Sequence, residues 1–288
     1  MPVDRSSGVF ITGAAAGIGA ATVRRLAADG YTVYAGIHRD TGSLDGLPGV
    51  RPVRIDVTDP DSVAAAAGQV AAAAGRAGLH ALVNNAGIVV QGALELTPPA
   101  DLERQLAVNA LGPAYVTREF LPMLRAGHGR VINISAPTAR VHFPFLSMLS
   151  ASKAALSALS DALRLELAPW GIAVAVVEPG ATDTRIFAKA AAGEEKALGQ
   201  ADPGQLALYQ AQLAAVAAAQ GRQRTAAAES VARVIAAAVA ARAPRRRYTA
   251  GMDARLAGVL AALPAGLRDR AIRLVLGLPG SAAKGSTA

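Results

Sequence analysis

The sequence predicts an α/β fold: one domain with a doubly wound parallel sheet of about seven strands and helices on both faces. Three observations predict it. Short apolar runs alternate with longer helical patterns along most of the 288 residues. The first run ends in a glycine-rich turn, Gly13-Ala14-Ala15-Ala16-Gly17-Ile18-Gly19, which opens directly into a helical pattern. No Pro/Ser/Gly-rich linker divides the chain, and its length suits a single large domain with a well-buried core.

Taken in order, residues 8–12 (Gly-Val-Phe-Ile-Thr) form a short apolar run suited to a strand buried on both faces. The helical pattern after the glycines continues through Ala28, and a second strand covers residues 32–37. Further strands are expected at 53–55, 81–83 and 173–177, with the last at 245–251. Helical patterns lie between them at 61–74, which has an acidic start and a Gly75 stop, at 99–124 and at 150–167. Residues 184–224 are rich in Ala, Gln and Glu and read as irregular. Residues 254–276 alternate apolar and basic side chains at helical spacing and are divided by Pro264. Their apolar positions are Leu256, Val259, Leu260 and Leu263, then Leu267, Ile272, Leu274 and Val275. This pattern reads as a helix pair capping a pocket or a partner subunit. A peripheral membrane contact through Arg255, Arg268, Arg270 and Arg273 is the lesser reading. Residues 280–288 read as a disordered end. The expected organisation is therefore a core domain over 1–250 and a C-terminal helical extension of it over 251–288.

Composition excludes several classes. The formal net charge of +8 comes from dispersed basic residues with one cluster, Arg242 with Arg245, Arg246 and Arg247, and aromatics are only 4%. Charge without stacking residues reports solubility, so no nucleic-acid partner is expected. The hydrophobic content of 52% is inflated by alanine. No charge-free run of about 18 apolar residues occurs, and the N-terminus lacks the basic-then-apolar order of a signal peptide. The cytoplasm is the default compartment. The absence of cysteine excludes disulfides, thiolate nucleophiles and Cys-based metal sites, and no metal is expected.

The glycines allow a tight turn, close approach of backbone to a pyrophosphate, and packing of helix on strand. The helix start then offers amide donors and a positive dipole to phosphates, as in a Rossmann fold. The spacing Thr12-Gly13-x-x-x-Gly17-x-Gly19 resembles that of the short-chain dehydrogenase/reductase family. Further matches extend the resemblance over residues 7–250. Asp56-Val57 stands where the family contacts adenine, and Asn84-Asn85-Ala86-Gly87 matches its Asn-Asn-Ala-Gly signature. Asn109 falls where the family places a structural and catalytic Asn. Pro179-Gly180-Ala181-Thr182 resembles the segment that packs on the nicotinamide, with Thr184 close behind. The resemblance implies that Gly13, Gly17, Ile18, Gly19, Asp56, Val57, Asn84, Ala86 and Gly87 bind the dinucleotide. Lys153, Pro179, Gly180, Thr182 and Thr184 complete that implied set. It also implies a substrate lid at about 184–224 and a homodimer or homotetramer built on the helices at 99–124 and 150–167.

Cofactor choice turns on the end of the second strand. An acidic residue there bonds the ribose 2′-hydroxyl of NAD, whereas a nearby Arg accommodates the 2′-phosphate of NADP. Ile37 occupies the acidic position, followed by His38 and Arg39. NADP(H) is therefore the expected cofactor, and NAD(H) the alternative, given Asp40 alongside.

In the family's usual mechanism a Tyr four residues before the Lys exchanges a proton with the substrate oxygen, and the Lys holds the ribose and lowers the Tyr pKa. A Ser thirteen residues before the Tyr bonds the same oxygen. Lys153, within Ser150-Ala151-Ser152-Lys153-Ala154-Ala155, fixes the register, and counting back places Leu149 and Ala136 at the two positions. Ser135 and Ser150 are their neighbours. A one-residue offset turns a strand side chain to the opposite face and a helical one by about 100°, so neither replaces a phenol directly. Tyr115 reads as a dimer or core residue; His80, His128 and Trp170 read as surface or packing residues. Substitute acids are His142, Ser147, Ser135 or a water held by Asn109 and Lys153.

Three functions follow. The first is NADP(H)-dependent hydride transfer to a small hydrophobic substrate with an activated C=N, C=C or C=O bond. The second is redox-neutral cyclisation, dehydration or isomerisation, and the third a nucleotide-binding pseudo-enzyme partner subunit. Hydride transfer ranks first, because Asp56, Asn84, Gly87, Lys153 and Thr182 keep the cofactor-binding type.

Overall fold

The computed structural model describes residues 8–39, 41–222 and 225–278. Asp40, the end of the expected lid and the tail at 280–288 lie outside the described residues in whole or part. Seven parallel strands form one sheet in the order β3-β2-β1-β4-β5-β6-β7. They are β1 (Gly8–Ile11), β2 (Val33–Ile37), β3 (Val50–Arg54), β4 (Leu79–Asn84), β5 (Arg130–Ile134), β6 (Ala173–Pro179) and β7 (Arg247–Ala250). The expectation of about seven strands holds. Every residue of β1, β2, β4 and β5 is buried, and β1 and β2 are accordingly unbroken apolar runs; β5, interrupted by Arg130 and Asn133, has no counterpart among the sequence expectations. The edge strand β3 instead exposes Arg51, Pro52 and Arg54, and charge and proline protect an edge from further pairing.

Alternation along the strands divides the core in two. Val9, Ile11, Ala81, Val83 and Val177 face α1 (Gly17–Ala28) and α8 (Ala228–Ala240). Phe10, Leu82, Val131 and Val174 face α2 (Pro60–Ala74) and α4 (Gly112–Ala126), where the rings of Phe10 and Phe120 lie 4.3 Å apart. Asp59 caps α2 by accepting from Asp61 N at 3.0 Å.

The remaining helices differ from the sequence expectation in instructive ways. The pattern at 99–124 is interrupted: α3 (Pro99–Leu106) passes through a π-helical turn, Ala107–Leu111, before α4, and Asn109 sits in that turn. Such turns admit one extra residue per turn and recur at functional sites. Helix α5 (Ser147–Glu166) starts before residue 150. The segment at 184–224, expected to be irregular, forms α6 (Arg185–Leu198) and α7 (Pro203–Gly221). Alanine-rich sequence favours helix, and Asp202 caps α7 through Gln205 N at 3.0 Å. Helix α8 has no counterpart among the sequence expectations.

The C-terminal extension is a helix pair, α9 (Met252–Ala261) and α10 (Ala265–Leu276), with Pro264 at the break as expected. Only Leu260 and Ile272 of the eight apolar positions turn inward, toward Val141, Phe143 and Ala257, while the other six are exposed. Among the described residues no helix is long and apolar enough to cross a membrane.

Candidate functional site

The strand order reverses between β1 and β4, which opens a crevice at the carboxyl ends of the strands. The glycine turn sits there. Gly13 and Gly17 have positive φ, +64° and +53°. A Cβ on Gly13 would lie 2.8 Å from Ala86 Cα, and one on Gly19 2.2 Å from Gly13 O, so side chains are excluded by both conformation and space. Thr12 Oγ1 accepts from Asn85 N and Ala86 N, each at 3.0 Å, while Asn85 Nδ2 donates to Thr12 O at 2.9 Å. This fastens the turn to the end of β4. Helical bonding in α1 begins at Ala20 N, and no side chain caps the start. The amides of residues 17–19, including Ile18, therefore have no intrahelical acceptor. Thr184 lies over Gly17, 3.0 Å from where its Cβ would stand.

Asn84 points elsewhere. Its Nδ2 donates to Thr117 Oγ1 at 3.0 Å and Asn133 Oδ1 at 2.8 Å, joining β4 to α4 and β5. The side chain expected to meet the dinucleotide is committed to the interior, and its unmarked neighbour Asn85 holds the turn.

At the end of β2, Ile37 is buried while His38 and Arg39 are exposed. His38 Nε2 lies 3.2 Å from Asp56 Oδ2. Asp56 Oδ1 accepts from the Thr58 hydroxyl at 2.7 Å and from Thr58 N at 2.9 Å. The Thr58 hydroxyl is the main reason its carboxyl is held below the usual range. Val57 packs against Gly112 at the head of α4.

Lys153, Asn109 and Gly87 converge. A Cβ on Gly87 would lie 3.4 Å from Asn109 Oδ1 and 3.7 Å from Lys153 Nζ. Lys153 is buried, donates to Ile134 O at 2.8 Å, and has its pKa lowered to about 8 by desolvation. Asn109 is fully buried; its Oδ1 accepts from Ile88 N and its Nδ2 donates to Ile88 O, both at 2.9 Å. Gln105, one helical turn earlier and unmarked by any motif, accepts from Val90 N at 2.6 Å and donates to Ile88 O at 3.0 Å. Its only sequence signal is the four-residue spacing from Asn109, which puts both amides on one face.

The aliphatic positions stand beside this cluster. Ala136 is extended after β5, and Leu149 is buried in the first turn of α5, four residues before Lys153. Ser135 is buried with its hydroxyl 3.4 Å from Lys153 O and 3.2 Å from Ser157 Oγ, so it bonds along α5. The Ser150 hydroxyl is buried without a hydrogen-bond partner, and Ser147 is exposed. His142 is exposed, with Nδ1 3.1 Å from Thr138 O. Tyr115 packs against the core.

The segment after β6 is held from the C-terminal side. Gly180 N donates to Ala250 O at 2.8 Å, Ala181 N to Asp253 Oδ2 at 2.6 Å, and Thr182 Oγ1 to Gly180 O at 2.9 Å. A Cβ on Gly180 would lie 1.8 Å from Asp253 Oδ1. Over the crevice, Gln91 bonds Glu194 of α6 at 2.5 Å and Glu95 accepts from Tyr209 of α7 at 2.8 Å, an interaction that raises the Tyr209 pKa.

A doubly wound parallel sheet with an uncapped, glycine-opened helix at its switch point defines a dinucleotide-binding protein. The chain belongs to the short-chain dehydrogenase/reductase family: the pattern described as short chain dehydrogenase matches residues 7–196. It is 35% identical over 181 residues to the 3-amino-tetrahydro-pyrrolizinone reductase of Xenorhabdus hominickii, covering 63% of each chain. It is 36% identical over 200 residues to estradiol 17-beta-dehydrogenase 2 of Rattus norvegicus, covering 65% of this chain and 50% of that protein. The chain thus spans about half to two thirds of the length of these relatives. A short chain dehydrogenase from Burkholderia cenocepacia, solved in complex with NADP, superposes with a TM-score of 0.72 at 28% identity. That match covers 94% of this chain and 99% of the other. A short-chain dehydrogenase from Streptomyces avermitilis gives 0.71 at 29% identity, covering 95% and 100%.

The residues present fit such a cofactor. Side chains are excluded at Gly13 and Gly19, the first amides of α1 are unclaimed, and the Lys153 ammonium uses one of its donors on Ile134 O.

Proposed function

We propose that this chain is an NADP(H)-dependent oxidoreductase that reduces a small hydrophobic substrate whose bond is activated enough to need no phenolic acid. The observation that carries the proposal is the convergence of Lys153 and Asn109 on Gly87 beside the apolar Leu149. Bound in the crevice, NADPH supplies a hydride. Lys153 offers its remaining donors to ribose hydroxyls, and Asn109 and Gln105 fix the backbone at 88–90 that walls the site. Arg39 would supply positive charge to a 2′-phosphate, His38 stands beside it, and Ile37 supplies no competing carboxylate. The NADP complex of the Burkholderia cenocepacia relative supports this cofactor.

Hydride addition to a simple ketone builds an alkoxide that needs a proton, and the loss of a general acid typically costs about 10²–10⁴-fold. Ala136 and Leu149 carry no exchangeable side-chain proton, and Ser135 is engaged along α5. An iminium carbon needs none, since hydride addition gives a neutral amine. The resemblance to a 3-amino-tetrahydro-pyrrolizinone reductase supports a substrate of nitrogen-containing type. Exposed Leu111 on the π turn and Leu165 on α5 support a homodimer or homotetramer built on these helices.

The test follows NADPH absorbance over panels of ketones, imines and enones. Turnover confined to imines or enones is expected. Product formed without NADPH consumption would instead assign a redox-neutral reaction, and tight NADPH binding without chemistry a pseudo-enzyme.

A further inference from the structure

Half of the large hydrophobic side chains exposed among the described residues fall within residues 252–275. Helix α9 presents Met252, Leu256 and Val259, and α10 presents Leu267, Leu274 and Val275; each is more than half exposed. Scattered surface leucines are ordinary, whereas grouped ones mark a surface that meets a partner. Steps of four and three residues in α9, and of seven and eight from Leu267 in α10, gather each set onto one side of its helix. Both helices bury their opposite sides, Ala257 and Ile272, in the same cluster around Val141, so both stripes face away from it.

Charge selects the partner. Exposed Arg255, Arg270 and Arg273 flank the stripes, and Arg268 stands beside Asp269. The pair carries four arginines against two aspartates, one of which, Asp253, is turned inward to Ala181 N. A second copy docking symmetrically would set this basic surface against itself. An apolar stripe rimmed by arginine fits the interface of an anionic bilayer, where the apolar side chains enter and the guanidiniums meet the headgroups.

We propose that the outer face of α9 and α10 is a peripheral docking surface for an anionic lipid bilayer. It would hold the body of the protein on the membrane without crossing it. Docking does not depend on the reaction proposed above and is measured without turnover.

The experiment is co-sedimentation of the full chain with phosphatidylcholine vesicles, with and without phosphatidylserine. Binding is expected only with phosphatidylserine and is weakened by added salt. Each arginine near an anionic leaflet is worth roughly fivefold in partitioning, so the triple variant Arg255→Ala/Arg270→Ala/Arg273→Ala should lose on the order of a hundredfold. Leu256→Ser/Val259→Ser/Leu274→Ser should abolish binding while circular dichroism stays unchanged. If that variant unfolds, the arginine variant still decides the question. Absence of binding to either vesicle, or equal binding to both, overturns the proposal. So does a wild-type oligomer in sedimentation velocity that the serine variant loses, which would assign the face to a second copy.

Discussion

Lys153 is the residue on which pH acts most directly. Its pKa falls from 10.5 unfolded to about 8 in the buried site, so the unfolded chain binds more protons between those values. Stability of the free protein should therefore rise with pH across that window, and Lys153→Met should remove the rise; parallel urea titrations measure it. If Lys153 holds the ribose as proposed, cofactor binding should run the opposite way, because a charged ammonium makes the stronger hydrogen bonds. NADPH affinity should fall roughly fivefold as pH rises through about 8, and a fluorescence titration flat across that range would refute the charged-donor role. Arg39 is exposed beside the buried Ile37, so Arg39→Ala should weaken NADPH by about tenfold and NADH little, given about 1–2 kcal/mol for a charge-assisted bond. Equal weakening of both cofactors would remove the basis for an NADP preference. Leu149 stands one turn before Lys153, where a phenol would feel the ammonium. Ala136→Ser with Leu149→Tyr should raise reduction of simple hydrophobic ketones by about 10²-fold. If the unmodified protein already matches the double variant on such ketones, another acid serves the site.

Among the elements, those dominated by one local signal were the most legible. The buried strands β1 and β2 and the centre of β4 are legible as apolar runs, and the glycine turn and Pro264 mark breaks by backbone chemistry, whereas Arg130 and Asn133 hide the equally buried β5. The π turn is hidden too, because helical periodicity at 99–124 is blind to one inserted residue; yet that turn carries Asn109. The helices α6 and α7 looked irregular because alanine blurs any apolar stripe, although its propensity favours helix. At the site, a signature names residues and not their directions: the Asn84 side chain faces inward and Asn85 ties the turn. Asp253 was invisible for a related reason, since its partner Ala181 lies 72 positions away. Its carboxylate is the contact through which α9 holds the segment after β6. Asp253→Ala removes an acceptor from Ala181 N and should weaken NADPH binding several-fold, while Asp253→Asn, which keeps an oxygen acceptor, should retain most of it. Identical losses in the two variants would mean that the hydrogen bond does not position the segment.

At the scale of the molecule, one buried charge joins parts that are remote in sequence. Glu178 on β6 is fully buried and receives Arg140, from the loop after β5, at 2.5 Å and 3.2 Å. Arg247 of β7 donates to the same carboxylate. The Arg140 guanidinium also lies 3.5 Å from where a Cβ on Gly258 of α9 would stand. This triad links the loop carrying Ala136, the last two strands and the C-terminal pair. A lone buried carboxylate would be costly, and two arginines with good geometry make it tolerable without making it a large net source of stability. Removing one partner is a different matter. Glu178→Gln leaves two guanidiniums facing each other, and breaking a buried pair typically costs about 3–5 kcal/mol. Both arginine side chains are about 30% exposed, at 28% and 31%, so water can reclaim part of their charge, and a loss of about 2–3 kcal/mol is expected. Urea denaturation of the wild type and Glu178→Gln measures it. Arg140→Met/Glu178→Met/Arg247→Met removes all the charges together and should be less destabilising than the single change. If the single variant loses under about 0.5 kcal/mol, the triad does not join these elements.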